Sequence, residues 1–548
     1  MKTTAITARD QLLGLTLCVA YLGLLVATAP ELGLSRDESI YLYAAERYAD
    51  YLEGALHDPA KAFERQFIDQ HYQVNHEHPG LIKGLFALSS LLERHYGLFG
   101  SLTLAHRFPA MVCASVLLWL LYVMGTGYAG RPAGLFAALA YALLPRPFYH
   151  AHLNCFDVPI VLAITATVHA YSSTLRSPRQ LWRLGLVFGA ALATKHNSWV
   201  LPALFAIHFV WLQCNQRWHR HAVVPPHPYF LAAMLLIGPC VLVATWPWLW
   251  HDGWTRFLWY ARFHLRHEYY NMAYFGVNYF RPPFPFSYPW MMTLITVPLT
   301  TLLLGAGGLW CESTAILSHL RRRLPRDPEE RAVLWLGAML APLLMIALPS
   351  TPIFGGTKHW FPAYPFMCLF AGIGFQQLLA TARKSLPEHW TTRSQRLLPA
   401  GLTLGLLLPS AVETAHSHRF GLSHYTPIAG GVPGAADLGM NRQFWGFTAG
   451  SLERFFRTAL PNGGKVHVCD MTHLAFHMLG REGHLPSGVE PTAHLRDADY
   501  ALVHHEHHFA DMDFQIWTTY GTVQPVAVLS YDGVPILSVY RNPRGQTH

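Results

Sequence analysis

Apolar segments of roughly 16 to 22 residues recur along the first three-quarters of the chain, close to the length at which an α-helix crosses a bilayer. Such a pattern predicts membrane-spanning helices, and the pattern is weakest where two segments abut, such as 183–196 with 198–214. About eleven spans are predicted in this way, near 11–30, 106–128, 133–149, 154–172, 183–196, 198–214, 229–250, 290–311, 332–349, 361–381 and 397–412.

The polarity of the whole chain agrees with this pattern. Of its 548 residues, 52% are hydrophobic and only 13% are charged, whereas about a quarter of the residues in soluble domains are charged. The sequence therefore predicts a polytopic α-helical membrane protein.

After residue 412 the pattern changes to short alternating runs that are typical of β-strands. These runs lie at 465–469, 500–503, 526–529 and 536–539, with possible helices at 472–480 and 511–520. Asp532-Gly533 between the last two runs is a strong hairpin signal. We therefore expect two domains, a transmembrane domain over 1–412 and a small α/β domain outside the membrane over 413–548.

The distribution of positive charge predicts the orientation, because cytoplasmic loops carry an excess of Lys and Arg. The densest basic loop runs from Arg321 to Arg331. With it in the cytoplasm, the N-terminus lies inside, and 31–105, 150–153, 251–289, 350–360 and the tail lie outside. This scheme requires the apolar segment 79–98 to lie along the outer membrane surface rather than to cross. The expected location is the plasma (inner) membrane, with any active site on the extracytoplasmic side.

Charge, the N-terminal sequence and the cysteines also bear on partners, on cleavage of the first helix and on disulfides. The net charge of +8 is largely this inside bias, so nucleic acid is not expected as a partner. Ala27-Thr28-Ala29 could be a signal-peptidase site, but the weak n-region and the many following spans favour an uncleaved first helix. Eight cysteines, mostly in or beside predicted spans, form neither a disulfide framework nor a CxxC metal site.

The acidic pair Asp37-Glu38 stands where the first span would release the chain into water. Ser35 and Glu38 fit a helix capping box, and Asp37 is favoured near the positive end of a helix. A structural role is therefore available. A chemical role is equally open, because paired carboxylates at a membrane edge are typical of functional sites.

Further ionisable residues fall on the same predicted side. Asp157 would lie just inside a span, where it is either a helix N-terminal acid or a functional group. Lys195 lies between two apolar runs, where it could bind an anion or extend towards the interface. The outer-side candidates are Asp37, Glu38, Glu77, His78, His150, His152, Asp157, Arg281, Lys358 and His359.

Two further segments have alternative interpretations. Loop 251–289 is rich in aromatic residues and proline, which suits the interfacial belt and would equally suit a lid, with Tyr269, Tyr270 and Arg281 as its candidate contacts. Histidines and acids cluster at 76–78 and 504–508, yet their spacing does not indicate a regular metal site. A divalent metal is possible, and no other cofactor is expected.

The order of these motifs resembles the GT-C superfamily of polyprenyl-linked glycosyltransferases, in particular the branch that holds protein O-mannosyltransferases and lipid A aminoarabinose transferases. The resemblance covers most of residues 10–380. One departure is Ile40, which stands where aminoarabinose transferases often carry arginine. The matching motifs are Asp37-Glu38-x-x-Tyr41, Glu77-His78-Pro79-x-Leu81, Arg107-Phe108-Pro109, Asn154-x-x-Asp157-x-Pro159, Thr194-Lys195 and Lys358-His359-x-x-Pro362-x-Tyr364-Pro365.

The resemblance implies an inverting transferase that moves a sugar from a polyprenyl-phosphate donor to a protein, lipid or glycan hydroxyl. Asp37 would be the general base, Glu38 would position acceptor or donor, and Asp157 would orient a cation or a sugar hydroxyl. The expected ligands of the donor phosphate are His78, Lys83, Arg107, Lys195, Lys358 and His359.

The alternative class is a membrane transporter or a lipid-binding scaffold without catalysis. A transporter typically places its charges near mid-bilayer, between broken and repeated helices. Here the ionisable groups lie at one predicted edge, and no inverted repeat is evident. The sequence therefore favours the enzyme.

Overall fold

The computed structural model describes residues 5–219, 227–322, 330–386, 392–506 and 511–544. Within these ranges the chain is mostly helical, with a two-stranded and a five-stranded sheet. The α-helices are α1 (Ala8–Thr28), α2 (Arg36–His57), α3 (Arg65–Tyr72), α4 (Gly80–Tyr96), α5 (Leu102–Ala129), α6 (Arg131–Ala142), α7 (Pro145–Ala151), α8 (Asp157–Arg176), α9 (Leu181–Leu192), α10 (Leu201–His219), α11 (Tyr229–Thr245), α12 (Gly253–Leu265), α13 (Tyr288–Thr296), α14 (Leu299–Arg322), α15 (Arg331–Ala347), α16 (Tyr364–Lys384), α17 (Thr392–Ser417), α18 (Gly431–Asp437), α19 (Glu453–Ala459), α20 (His473–Arg481) and α21 (Met512–Tyr520).

Six helical segments of the described chain are long and apolar enough to cross a membrane, and a bent pair, α13 with α14, brings the number to seven. The protein is thus a multi-pass helical membrane protein, but the count of eleven spans is not confirmed. The predicted spans at 133–149 and 183–196 overlap helices α6 and α9, each of 12 residues. At 1.5 Å per residue such helices are about 18 Å long, whereas the hydrocarbon core is about 30 Å thick. The six segments are Ala8–Glu31, Leu102–Ala129, Asp157–Arg176, His196–Asn215, Gly356–Lys384 and Gln395–Ser423.

Two helices outside these spans lie next to the candidate site. α2 begins at Arg36 with a capping box, in which Glu38 accepts hydrogen bonds from the backbone N–H and the hydroxyl of Ser35. α4 occupies the segment that was predicted to lie along the surface. It is followed by Gly97, whose positive φ of 63° favours glycine. α4 packs against both α2 and α5.

The seven strands are β1 (Met272–Tyr274), β2 (Val277–Tyr279), β3 (Gly464–Val468), β4 (Val489–Thr492), β5 (Tyr500–His504), β6 (Ala527–Tyr531) and β7 (Val534–Arg541). The larger sheet has the order β4-β3-β5-β7-β6, in which β3 pairs in parallel with β4 and β5, and β7 pairs antiparallel with β5 and β6. Asp532 and Gly533, both at positive φ, form the predicted β6–β7 turn.

The C-terminal sheet packs directly onto the start of α2. Leu34 and Leu42 from this part of the chain share one buried apolar cluster with Val466, Phe476 and Leu537. The hydroxyl of Ser39 also lies 2.7 Å from that of Thr472 at the start of α20. The C-terminal part is therefore packed beside the residues that flank Asp37.

Candidate active site

Asp37 lies in the first turn of α2, with its side chain at the edge of a cavity of about 250 Å³. Because the adjacent Glu38 is turned inward to cap the helix, only Asp37 of the pair lines the cavity. Segments from widely separated parts of the chain form the walls. Seven of the candidate residues that the sequence singled out line the cavity, namely Asp37, Glu77, His78, Lys195, Tyr270, Lys358 and His359.

The carboxylate of Asp37 is held between two cations. Nζ of Lys358 donates to Oδ2 of Asp37 at 3.1 Å, and Nε of Arg36 lies 3.8 Å from Oδ1. Burial raises the pKa of Asp37, but Lys358 and Arg36 outweigh it and hold the pKa below its ordinary value. Asp37 is therefore ionised at neutral pH and keeps 22% of its side chain exposed to the cavity.

Asp157 lies behind the cavity wall. It is the first residue of α8, and its Oδ1 accepts from Nζ of Lys195 at 2.8 Å. His150 approaches the other oxygen, with Nδ1 3.6 Å from Oδ2. Asp157 thus orients Lys195, which lines the cavity, without lining it itself.

Glu38 and Arg107 form a buried ion pair away from the lining. Nε of Arg107 donates to Oε1 of Glu38 at 2.9 Å and Nη2 donates to Oε2 at 3.1 Å. Arg107 also donates to the carbonyl of Gly33 at 2.7 Å. Arg107 thus joins α5 to the first turn of α2 and to the segment that precedes it.

Lys83 is buried beneath the start of α4. Its Nζ donates to the backbone carbonyls of Asn75 at 2.5 Å and His78 at 2.9 Å. Burial lowers the pKa of Lys83 to about 7, although Glu77 acts in the opposite direction. Lys83 therefore holds the turn that carries His78 rather than lining the cavity.

Only part of the predicted lid lies at the cavity. Tyr270 lines it, and its ring centroid is 5.7 Å from that of Phe354, another lining residue. Tyr269 is 44% exposed and contacts Phe284. Arg281 is exposed and does not line the cavity.

Histidines are the most numerous polar residues of the lining: His78, His196, His264, His267 and His359. The rings of His196 and His264 stack at 3.8 Å, and Nε2 of His264 lies 2.7 Å from the carbonyl of Glu77. Burial and the nearby His264 lower the pKa of His78, and burial lowers that of His264 to about 4. Both rings are therefore neutral at neutral pH.

In the part of the chain that the structure describes, no group of three or more His, Cys, Asp or Glu residues is placed to hold a metal ion. In the tract 504–508, Nδ1 of His504 lies 2.8 Å from the carbonyl of Cys469, and Glu506 is buried. Residues 507 and 508 lie outside the described residues.

Four residues at the site were not predicted from the sequence: Arg36, Trp445, Asp470 and Glu506. Arg36 lies 3.5 Å from Glu506 and 3.9 Å from Asp470. The ammonium of Lys358 lies 3.9 Å from the ring centroid of Trp445. Burial and Glu506 raise the pKa of Asp470 to about 8. Arg36 could have been found as a charge next to Asp37, but the others carry no local signal.

A small apolar cavity of about 40 Å³ adjoins the polar one. Leu201, Leu204 and Met345 are among its lining residues, and His359 lines both cavities. His359 is therefore shared by a polar cavity and a small apolar one.

Residues 87–248 match the family model described as "Dolichyl-phosphate-mannose-protein mannosyltransferase". This match confirms, over that part of the chain, the resemblance to polyprenyl-phosphate-sugar glycosyltransferases of the GT-C superfamily. The matched segment includes Arg107, Asp157 and Lys195. No curated protein matches the chain.

Solved structures of similar shape include ArnT from Cupriavidus metallidurans, bound to undecaprenyl phosphate, with 14% identity, coverage of 97% of this chain and 99% of that chain, and a TM-score of 0.46. The apo form of the same protein gives 13% identity, coverage of 96% and 97%, and a TM-score of 0.48. The oligosaccharyltransferase AglB from Archaeoglobus fulgidus, in complex with an inhibitory peptide and a dolichol-phosphate, gives 9% identity, coverage of 92% and 71%, and a TM-score of 0.46. With TM-scores below 0.5, these similarities do not establish a function for this chain.

Proposed function

We propose that this protein is an inverting glycosyltransferase that moves a sugar from a polyprenyl-phosphate donor to an acceptor hydroxyl on the extracytoplasmic face of the membrane. The observation that carries the proposal is the cavity at Asp37. It brings an ionised carboxylate together with Lys195 and Lys358, which are about 160 residues or more away from it in the chain. A base beside several phosphate-binding groups is what this transfer requires.

The donor would lie with its phosphate against the cationic side of the cavity. Lys195 and Lys358 supply charge, whereas the neutral ring of His78 and the ring of His359 would supply hydrogen bonds. The adjoining apolar cavity beyond His359 supports a ligand whose phosphate is attached to a hydrocarbon chain.

In the proposed reaction, the acceptor oxygen attacks the anomeric carbon from the face opposite the phosphate. A new carbon–oxygen bond forms as the bond from the anomeric carbon to the phosphate oxygen breaks. The acceptor proton passes to the carboxylate of Asp37, and the bonding electrons leave with the polyprenyl phosphate. Lysine ammonium groups stabilise the charge that develops on this phosphate.

The Lys358–Asp37 contact of 3.1 Å gives the cavity a way to couple donor binding to base strength. Alone, Lys358 keeps the carboxylate ionised but weakly basic. A donor phosphate would compete for the ammonium, and Asp37 would then lose part of its stabilisation. Its pKa would rise, making it a stronger base when the substrate is present.

The remaining predicted residues are proposed to act through others. Asp157 would orient Lys195, and Lys83 would hold the turn of His78. The Glu38–Arg107 pair would fix the start of α2 and thereby the direction of Asp37. Among the predicted lid residues, Tyr270 has the contact with the cavity that a substrate would meet.

The acceptor-dependent release of polyprenyl phosphate tests this function. The purified full chain would be incubated with undecaprenyl-phosphate mannose, with and without a protein and lipid extract of membranes as acceptor. The mannose of the donor would be labelled. Release of polyprenyl phosphate that depends on acceptor and is accompanied by labelled acceptor supports a transferase. Binding without release would indicate a scaffold, and passage of intact donor across vesicles would indicate a transporter.

Topology requires its own test, because the cavity must face outwards. We propose that residues 413–548 form an extramembrane domain on that same side. A reporter that is active only outside the cytoplasm, fused at the C-terminus, should show activity. A cytoplasmic signal would contradict the proposed side.

A further inference from the structure

We propose that the C-terminal part of the chain supplies a positioning residue, Trp445, which holds the ammonium of Lys358 against Asp37. This inference rests on the proposed function, because it assigns to Lys358 the task of binding the donor phosphate. Through Trp445, the C-terminal part of the chain would contribute a residue to the site itself.

Trp445 is fixed in an uncommon backbone conformation. Its φ is +70°, a left-handed value that large side chains rarely adopt. Two backbone hydrogen bonds of 2.8 Å hold it there. Its N–H donates to Oε2 of Glu506, and its carbonyl accepts from the N–H of Arg36. Strained residues of this kind persist only where the surrounding structure fixes them.

The indole of Trp445 packs against the buried ammonium of Lys358. Nζ of Lys358 lies 3.9 Å from the ring centroid and 3.1 Å from Oδ2 of Asp37. A buried ammonium needs compensating contacts, and an aromatic face is one of them. Gly355 makes the close approach possible, since a Cβ there would lie 2.6 Å from Cε of Lys358 and 2.7 Å from Nε1 of Trp445.

The loop that carries Trp445 is attached to the sheet. A Cβ on Gly446 would lie 2.2 Å from the carbonyl oxygen of Asp470, which follows β3. Glu506 follows β5 and also contacts Arg36. The ends of two adjacent parallel strands thus hold both Trp445 and the arginine next to Asp37.

Lys358 can therefore bind a phosphate with defined geometry only while Trp445 is in place. Without the indole, the ammonium of Lys358 loses this aromatic contact and can move away from Asp37. Trp445 lines the cavity but is only 1% exposed, and its contact there is with the ammonium of Lys358. Its effect would pass through Lys358.

The test is a double-mutant cycle on the purified full chain, with undecaprenyl phosphate as the probe. Trp445→Leu should weaken its binding by about tenfold, as expected for loss of a buried cation–π contact. Trp445→Phe, which keeps an aromatic face, should bind within about threefold of the wild type. Trp445→Leu combined with Lys358→Met should bind no more weakly than Lys358→Met alone, since a shared mechanism is not additive. Additive losses would overturn the proposal.

A second measurement does not depend on any ligand. A small amine-reactive reagent would modify Lys358 slowly in the wild type and in Trp445→Phe, but much faster in Trp445→Leu. Trp517→Leu, in the same part of the chain, is the matched control and should change neither measurement. Equal labelling of Lys358 in all variants would overturn the positioning role.

The two measurements separate the proposals. If the wild type does not bind undecaprenyl phosphate, the proposed function fails, and the labelling of Lys358 still decides the role of Trp445. If Trp445→Leu does not fold, Glu506→Ala and Glu506→Gln replace it. Only the alanine variant removes the acceptor of the Trp445 N–H, so faster labelling in Glu506→Ala than in Glu506→Gln is expected. Equal labelling there would contradict the proposal.

Discussion

The buried ion pair between Glu38 and Arg107 gives two neighbouring acids different environments. Glu38 is fully buried and accepts two hydrogen bonds from the guanidinium. Asp37 keeps 22% of its side chain exposed and faces the cavity. Of these two adjacent acids, Glu38 therefore has a structural environment, whereas Asp37 faces the cavity, where a chemical role is available.

Glu38→Gln is expected to destabilise the protein. Removing one partner of a buried ion pair costs about 3 to 5 kcal/mol, because the other charge is left unpaired. Thermal unfolding of the purified protein should show a clear drop in Tm, whereas Asp37→Asn should melt within a few degrees of the wild type. Equal melting of all three proteins would contradict the structural assignment.

Lys83→Met should lower stability more than it lowers donor binding. The change removes the Lys83 donor from the carbonyl of His78 and one of two donors from the carbonyl of Asn75, at a cost of about 1 to 3 kcal/mol. Melting and undecaprenyl phosphate binding would be measured together, with exposed Lys61→Met as the control. A loss of binding as large as that of Lys358→Met, at unchanged Tm, would instead indicate direct phosphate contact.

Lys358→Met should move the acid limb of the pH–rate profile to higher pH. In the wild type, Lys358 and Arg36 hold the pKa of Asp37 below its ordinary value, so activity falls only when the pH drops through that lowered pKa. Without the ammonium, the carboxylate accepts a proton at higher pH. The measurement is kcat/KM against pH, with Lys358→Arg as the conservative variant. An unmoved limb in Lys358→Met would contradict the coupling.

Asp470→Asn should remove a loss of stability that the wild type shows as the pH rises from the ordinary pKa of an aspartate, 3.8, to about 8. Burial and Glu506 raise the pKa of Asp470 to about 8. Between its ordinary value and this raised one, the folded state holds a proton that the unfolded state has released. Stability must therefore decrease as pH rises through this window, by at most about 1.4 kcal/mol per pH unit.

Tm measured from pH 5 to pH 9 checks this. The wild type and the exposed control Asp497→Asn should decline with rising pH, and Asp470→Asn should decline less. Parallel curves for all three proteins would indicate that Asp470 is not protonated in the folded state.

Local patterns in the sequence were sufficient for several features. The capping box at Ser35 and Glu38, the helix at Gly80–Tyr96 and the β6–β7 turn at Asp532-Gly533 depend on residues within a few positions of one another. The cavity residues Asp37, His78, Lys195 and Lys358 could be singled out because a charge beside apolar segments is costly unless it has a use.

Other features depend on contacts between distant parts of the chain. Trp445 lies about 90 residues from Lys358 and has no polar pattern around it that indicates a site. Glu506 stood within a histidine tract that suggested metal, yet it pairs with Arg36 some 470 positions away. Helix lengths were also misjudged where apolar runs abut, since hydropathy alone does not show where α9 ends at Leu192.

The most direct test of the central claim is the transfer activity of Asp37→Asn. The variant keeps the size of the side chain and should fold and bind undecaprenyl phosphate, but it has no base to accept the acceptor proton. Acceptor-dependent transfer from undecaprenyl-phosphate mannose should fall by a factor of about 10² to 10⁴. Transfer close to that of the wild type, in a monodisperse and normally melting preparation, would contradict the assignment of Asp37 as the base.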